Sequence, residues 1–153
     1  MININYGNSG FPEKYLISNS LLRQATVYTV ENFWELDARA PANYILDIDF
    51  VNNSRIKAIN KKYLDRDRST DVIAFSLEEG ERLVSPNTPP LIGQVVISFD
   101  KAINQAGEMG HSIEKEILIL VIHGTLHVCG WSEGKKIQEC QEKIKKKILN
   151  SRE

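Results

Sequence analysis

Glu116-Ile-Leu-Ile-Leu-Val-Ile-His123-Gly-Thr-Leu-His127-Val-Cys-Gly130-Trp-Ser-Glu133 is the stretch on which the fold turns. Ile117 to Ile122 are apolar in every direction that a helix presents. A helix without a polar face belongs in the middle of a fold, packed against a sheet and other helices. Four residues apart on that helix, His123 and His127 lie on one face and can offer two imidazoles to a single ion. Gly130 then ends the helix, because glycine adopts the left-handed conformation without a Cβ penalty, and the reversed chain swings Glu133 back toward the histidines. Two imidazoles and one carboxylate leave a fourth position open, which is the arrangement of a catalytic zinc site rather than a closed structural one.

The spacing H-x3-H-x2-G-x2-E is also that of the zinc helix of the metzincin peptidases. Those enzymes carry Glu directly after the first His as a general base, and here that position is Gly124, which cannot accept a proton. A peptidase of that type is therefore disfavoured. The plainer alternative, a buried helix with two satisfied core histidines, has to explain Gly130 and Glu133 at their offsets. Cys129 points about 200° around the helix from His127, so it reads as a small core residue rather than a ligand. Glu116 lies seven residues before His123, near the same stripe. It is expected either to accept a hydrogen bond from a ligand histidine or to complete the helix N-terminus.

Working outward, the 153 residues, 42% hydrophobic and 25% charged, fit one domain over residues 1–153. The six residues of Ile117 to Ile122 form the longest purely apolar run. That is far short of the ~20 that span a bilayer, so no membrane association is expected. The N-terminus lacks a basic stretch followed by a long apolar core, which points to the cytoplasm. Two cysteines make no disulfide framework in a chain of this size. Residues 2 to 6 alternate as a strand, and Tyr44 to Phe50, Asp71 to Leu77 and Leu91 to Phe99 read as three more. Helices are expected over Asn19 to Leu36, from Asn53 or Ser54 to about Tyr63, from Ser112 through the histidines, and from about Lys135 to Leu149. Glu78 to Pro90, with Gly80 and three prolines, is the expected loop. The fold class is α+β: a small mixed sheet of about four strands, with the metal-binding helix central and other helices flanking it.

His123 to Glu133 resembles the H-G-x-L-H-L-x-G-Y-x-H signature of the YbeY family of endoribonucleases. Ile59-Asn60-Lys-Lys-Tyr63 followed by Leu64-Asp-Arg-Asp-Arg-Ser-Thr-Asp71-Val-Ile-Ala-Phe75 is similar to that family's L-N-x-x-Y-R-x-x-x-x-P-T-D-V-L-S-F block. Leu91-Ile-Gly-Gln94-Val-Val-Ile-Ser98 resembles its L-G-D-I-x-I-S strand, and Gly110-His-Ser-Ile-Glu-Lys-Glu116 its G-H-S-x-x-x-E helix start. The four blocks are colinear over residues 59 to 133. The resemblance implies a metal-dependent endoribonuclease specific for single strands, holding one Zn2+ ion. Its implied setting is ribosomal RNA maturation, including the 16S 3′ end, and ribosome quality control. Its implied partners are precursor ribosomal RNA and the small ribosomal subunit, with no DNA substrate. His123, His127 and Glu133 are then the expected ligands, and the chemistry is phosphodiester hydrolysis by a metal-activated water, or attack by the ribose 2′-hydroxyl with the metal as Lewis acid.

This chain departs from the family pattern at four places. Glu133 stands where the family has its third histidine, Leu64 where it has an arginine, Ser69 where it has proline, and Gln94 where it has aspartate. Arg66 and Arg68, on the same loop as Leu64, are the expected replacements for the arginine and the expected catalytic cations. The overall charge of −1 is unlike that of an RNA binder, but its distribution is uneven. Residues 55–68 and 135–147 each carry a local +4, leaving −9 elsewhere. Lys61, Lys62, Arg66 and Arg68 are accordingly the expected RNA contacts. Two other readings compete: a ribosome-associated factor whose metal is structural, and a metallopeptidase.

Overall fold

The computed structural model describes residues 1–6, 18–36, 40–77 and 88–150. Its elements run β1 (Ile2–Asn5), α1 (Asn19–Asn32), β2 (Ile45–Val51), α2 (Asn53–Leu64), β3 (Val72–Ser76), β4 (Leu91–Ser98), α3 (Phe99–Met109), α4 (Ile113–Val128) and α5 (Lys135–Asn150). The sheet order is β1-β2-β4-β3. β1, β2 and β4 are parallel and β3 runs antiparallel to β4, so the sheet is mixed and four-stranded, and the α+β expectation is met. Most of the loop expected over Glu78 to Pro90 lies outside the described residues.

Period-two alternation buries Leu46, Ile48 and Phe50 of β2 on one face, while Asp47 and Asp49 face the other way. The apolar face receives α4. Its Ile117, Leu118, Val121, Ile122 and Leu126 are fully buried between the sheet, α1, α3 and α5. That is the environment its all-round hydrophobicity demanded. On the opposite face α2 drops Ile56 onto Ile73 and Val96 and closes a small second cluster. In α5, Ile137, Cys140, Ile144 and Ile148 form the buried stripe, as their spacing predicts.

Caps fix the helix starts. Asn52, one residue earlier than expected, accepts a hydrogen bond from the Arg55 backbone N–H at 2.8 Å and opens α2. Ser112 accepts one from Lys115 at 3.1 Å and opens α4. Helix α3 was not expected. Ser98 caps it through the Lys101 N–H, and Gly110, at φ 70°, ends it. Its buried residues are Phe99, which continues the apolar run of β4, and the small side chains Ala102 and Ala106, which leave little hydrophobic signal of their own.

Candidate metal centre

Helix α4 ends in a Schellman motif. The Gly130 N–H bonds the His127 carbonyl and the Trp131 N–H bonds the Leu126 carbonyl, both at 3.0 Å. Gly130 has φ 106°, and a Cβ there would come 2.9 Å from Leu36, so the turn needs glycine on two counts. Trp131 Nε1 donates to the Phe33 carbonyl at 2.7 Å and pins the reversed chain against the segment after α1. The next residues carry Glu133 back over the helix end.

There the three expected ligands meet. The Nε2 atoms of His123 and His127 are 3.2 Å apart, and Glu133 Oε1 lies 3.0 Å from the first and 2.7 Å from the second. Among the described residues this is the one group of three or more His, Cys or acidic side chains whose ligand atoms converge in this way. Behind each ring is an acceptor. His127 Nδ1 faces the Trp131 carbonyl and His123 Nδ1 faces Gln141 Oε1, each at 2.8 Å. Both Nδ1 atoms must therefore carry the proton, which leaves both Nε2 lone pairs aimed at the same point as the carboxylate.

Three acceptors within about 3 Å of one another need a cation between them. A proton on one imidazole meets that need in part. Burial pushes the Glu133 carboxyl up, and the hydrogen bonds and charges of His123 and His127 outweigh it, holding that carboxyl below its ordinary range. A metal ion meets the need fully. A tetrahedral zinc with ligands at about 2.0–2.1 Å has ligand-to-ligand edges of about 3.3 Å. The observed triangle is close to that size and its donor set suits the ion, so the residues present fit a zinc-type site.

The triad opens into a cleft of ≈ 360 Å³ whose lining includes Leu64, Arg66, Arg68, Asp71, Ala74, His123, His127 and Glu133. Both arginines stand on the loop after α2, and buried Asn60 holds that loop. Its side-chain amide donates to the Arg68 carbonyl at 2.9 Å, and its backbone carbonyl accepts the Arg66 N–H at 3.2 Å. Lys61 and Lys62 sit on the exposed face of α2 outside the cleft lining, with Lys62 Nζ 5.1 Å from the Tyr63 ring centroid.

Glu116, a candidate for orienting a ligand, is instead paired with His111 at 2.5 Å. Glu116 and His123 line the same neighbouring pocket, yet the support for His123 comes from Gln141 on α5. Sequence reading missed Gln141, Asn60 and Asp71. Gln141 is 18 residues from the ring it contacts, and no local pattern marks it. Asp71 accepts hydrogen bonds from its neighbour Val72 and from Gln105 of α3, which holds it at the head of β3. Gly124 gains a second meaning. A Cβ there would lie 2.5 Å from Val95 and 3.2 Å from Val72, so the position faces the sheet and not the triad.

Comparison with known proteins follows the same lines. The family model described as Endoribonuclease YbeY matches residues 14–152. The chain is 43% identical over 103 residues to Endoribonuclease YbeY of Geobacillus sp. strain WCH70, covering 65% of this chain and 66% of that one. With the Bacillus licheniformis protein of that name it shares 42% identity over 110 residues, 69% of this chain and 70% of the relative. With the Geobacillus thermodenitrificans protein the figures are 37% over 123 residues, 78% and 73%. A solution structure from Thermotoga maritima superposes with a TM-score of 0.62 at 24% identity, over 99% of this chain and 91% of that one, a likeness of fold.

Proposed function

This chain belongs to the YbeY family of endoribonucleases, and from that premise we propose that it hydrolyses phosphodiester bonds of single-stranded RNA in ribosomal RNA maturation. The observation that carries the reading is the convergence of His123, His127 and Glu133 in one cleft with Arg66 and Arg68. Zn2+ is the ion we assign to the triad, since two imidazoles and a carboxylate with an open fourth position are its catalytic donor set. When bound, such an ion supplies a water whose pKa falls to roughly 7.

The residues of the chain do the rest. Gln141 and the Trp131 carbonyl keep both imidazoles in the tautomer that offers Nε2. Glu133 lowers the net charge of the site relative to the family's histidine. Arg66 and Arg68 neutralise the phosphate and stabilise the charge that gathers on its oxygens, in place of the arginine that Leu64 replaces. Lys61 and Lys62, outside the cleft, track the flanking backbone. The substrate is precursor ribosomal RNA, the working context the small ribosomal subunit, and the compartment the cytoplasm. Among the described residues no helix is long and apolar enough to cross a membrane. A peptidase is disfavoured because Gly124 supplies no general base, and a side chain at that position would press on Val95 and Val72 of the sheet. A purely structural metal is disfavoured by three protein ligands rather than four.

The test is cleavage of a single-stranded ribosomal RNA fragment and of its duplex form by purified protein, before and after chelation and zinc return. The reading requires cleavage of the single strand only, lost on chelation and regained with zinc. Binding to small subunits with no hydrolysis would favour the structural-metal alternative, and casein cleavage the peptidase.

A further inference from the structure

Among the described residues strand β3 is the last strand of the sheet, and its outer edge forms one wall of the metal cleft. Which backbone groups it presents follows from register. The Ser98 N–H bonds the Asp71 carbonyl at 2.9 Å, and the Leu77 N–H bonds the Ile92 carbonyl at 2.8 Å. In an antiparallel ladder the bonded pairs recur every second residue, so Asp71, Ile73, Phe75 and Leu77 point their backbone groups at β4. Val72, Ala74 and Ser76 point theirs outward, into the cleft that His123, His127 and Glu133 also line.

We infer that this edge reads one unpaired base of the RNA through the backbone N–H and C=O of Ala74, an inference that rests on the endoribonuclease reading above. Both groups lack a partner among the described residues, and together they form one donor beside one acceptor. Each nucleobase carries an adjacent donor and acceptor on its Watson–Crick edge, in the order donor then acceptor from the major-groove side in A and C and acceptor then donor in G and U. A fixed backbone pair therefore separates these two classes, and only an unpaired base exposes the groups. Leu64, 44% exposed and lining the same cleft, offers an apolar surface for a base to lie against. Arg66 and Arg68 stand in that cleft for the adjoining phosphates.

An added peptide strand is the other natural occupant of a sheet edge, and it needs a run of outward groups. Here the Val72 N–H is already taken by the Asp71 carboxylate at 2.8 Å, so the ladder is broken at its first rung. What remains is short and local, which suits one base better than an extended peptide. A base held at Ala74 also makes single-strand selectivity a property of the cleft itself, because a paired base has its Watson–Crick edge occupied.

Ala74→Pro removes the outward N–H alone, since that group makes no bond to β4, and an edge strand tolerates proline there. The measurement is sequencing of the cleavage sites made in a random single-stranded RNA pool by the zinc-loaded wild type and the variant, with thermal unfolding and zinc content recorded for both. The wild type should prefer one of the two classes, A and C or G and U, at a fixed position beside the cut, and Ala74→Pro should flatten that preference about tenfold, the value of one lost hydrogen bond. The wild type should likewise cleave about tenfold more slowly an RNA whose preferred base is methylated on its Watson–Crick edge, a readout that does not depend on the variant folding. A preference that survives in folded Ala74→Pro and with the methylated base would overturn the inference, as would a wild type that cuts RNA with no preference. Absence of any RNA cleavage by the wild type would bring down the endoribonuclease reading beneath it. Peptide hydrolysis blocked by Ala74→Pro would instead place a peptide on this edge.

Discussion

Gln141 of α5 accepts a hydrogen bond from Nδ1 of His123 of α4 at 2.8 Å, so a helix that contributes no metal ligand sets the tautomer and the ring angle of one. Replacing Gln141 with Leu keeps the buried volume and removes the acceptor. Zinc affinity, read by competition with a chromogenic chelator, should fall about 10- to 100-fold, the usual cost of losing such support. Gln141→Glu restores an acceptor and should recover most of it. Unchanged affinity in Gln141→Leu would mean that the ring is held by packing alone.

Gly124 is a packing residue. Gly124→Ala would set a methyl 2.5 Å from Val95 Cγ1, and α4 must shift from the sheet to admit it. Urea denaturation should show a loss of about 1–3 kcal/mol, the cost of overpacking, less the gain from replacing glycine within a helix. Val95→Ala in the same protein should recover part of that loss.

Leu64 occupies the cleft where the family carries arginine. Leu64→Arg should raise cleavage of single-stranded RNA several-fold by adding a cation near the phosphate. Arg66→Ala and Arg68→Ala should each lower kcat/KM, by about 10- to 100-fold for whichever arginine contacts the phosphoryl oxygens in the transition state. The other should chiefly reduce the salt dependence of binding by about one unit of slope. Equal, small effects from both would remove the arginines from the chemistry.

The Tyr44 hydroxyl is buried without a hydrogen-bond partner among the described residues. Burial first, then the nearby Glu31 and Cys129 charges, push it from 10.0 up to about 12. A folded value above the unfolded one contributes stability that is whole below pH 10 and lost as the pH climbs through 12. Urea midpoints should therefore decline across that window, and less steeply in Tyr44→Phe. At pH 7 that variant should be as stable as the wild type or up to ~1 kcal/mol more so, because an unsatisfied polar group has been removed.

The features legible in the sequence are those with short-range causes. The triad was visible because helical spacing and one glycine turn place His123, His127 and Glu133 together over eleven residues. Helix α4 declared itself central because Ile117 to Ile122 leave it no polar face. Helix α3 was hidden, since β4 reads as strand up to Phe99 and the helix then buries two alanines. The support from Gln141, the grip of Asn60 on the arginine loop and the pairing of Glu116 with His111 depend on how elements pack, and nothing local encodes them. Glu116 illustrates the ambiguity: its stripe matched that of His123, but the ring of His111, five residues away, claimed it.

The central claim is that Glu133 completes a catalytic metal site with His123 and His127. It is tested most directly by elemental mass spectrometry together with cleavage of a single-stranded RNA, for the wild type, His127→Ala and Glu133→Ala. The account predicts near-stoichiometric zinc and RNA cleavage in the wild type, both lost in each folded variant. Full zinc occupancy and undiminished cleavage in Glu133→Ala, or a wild type that binds no metal, would contradict it.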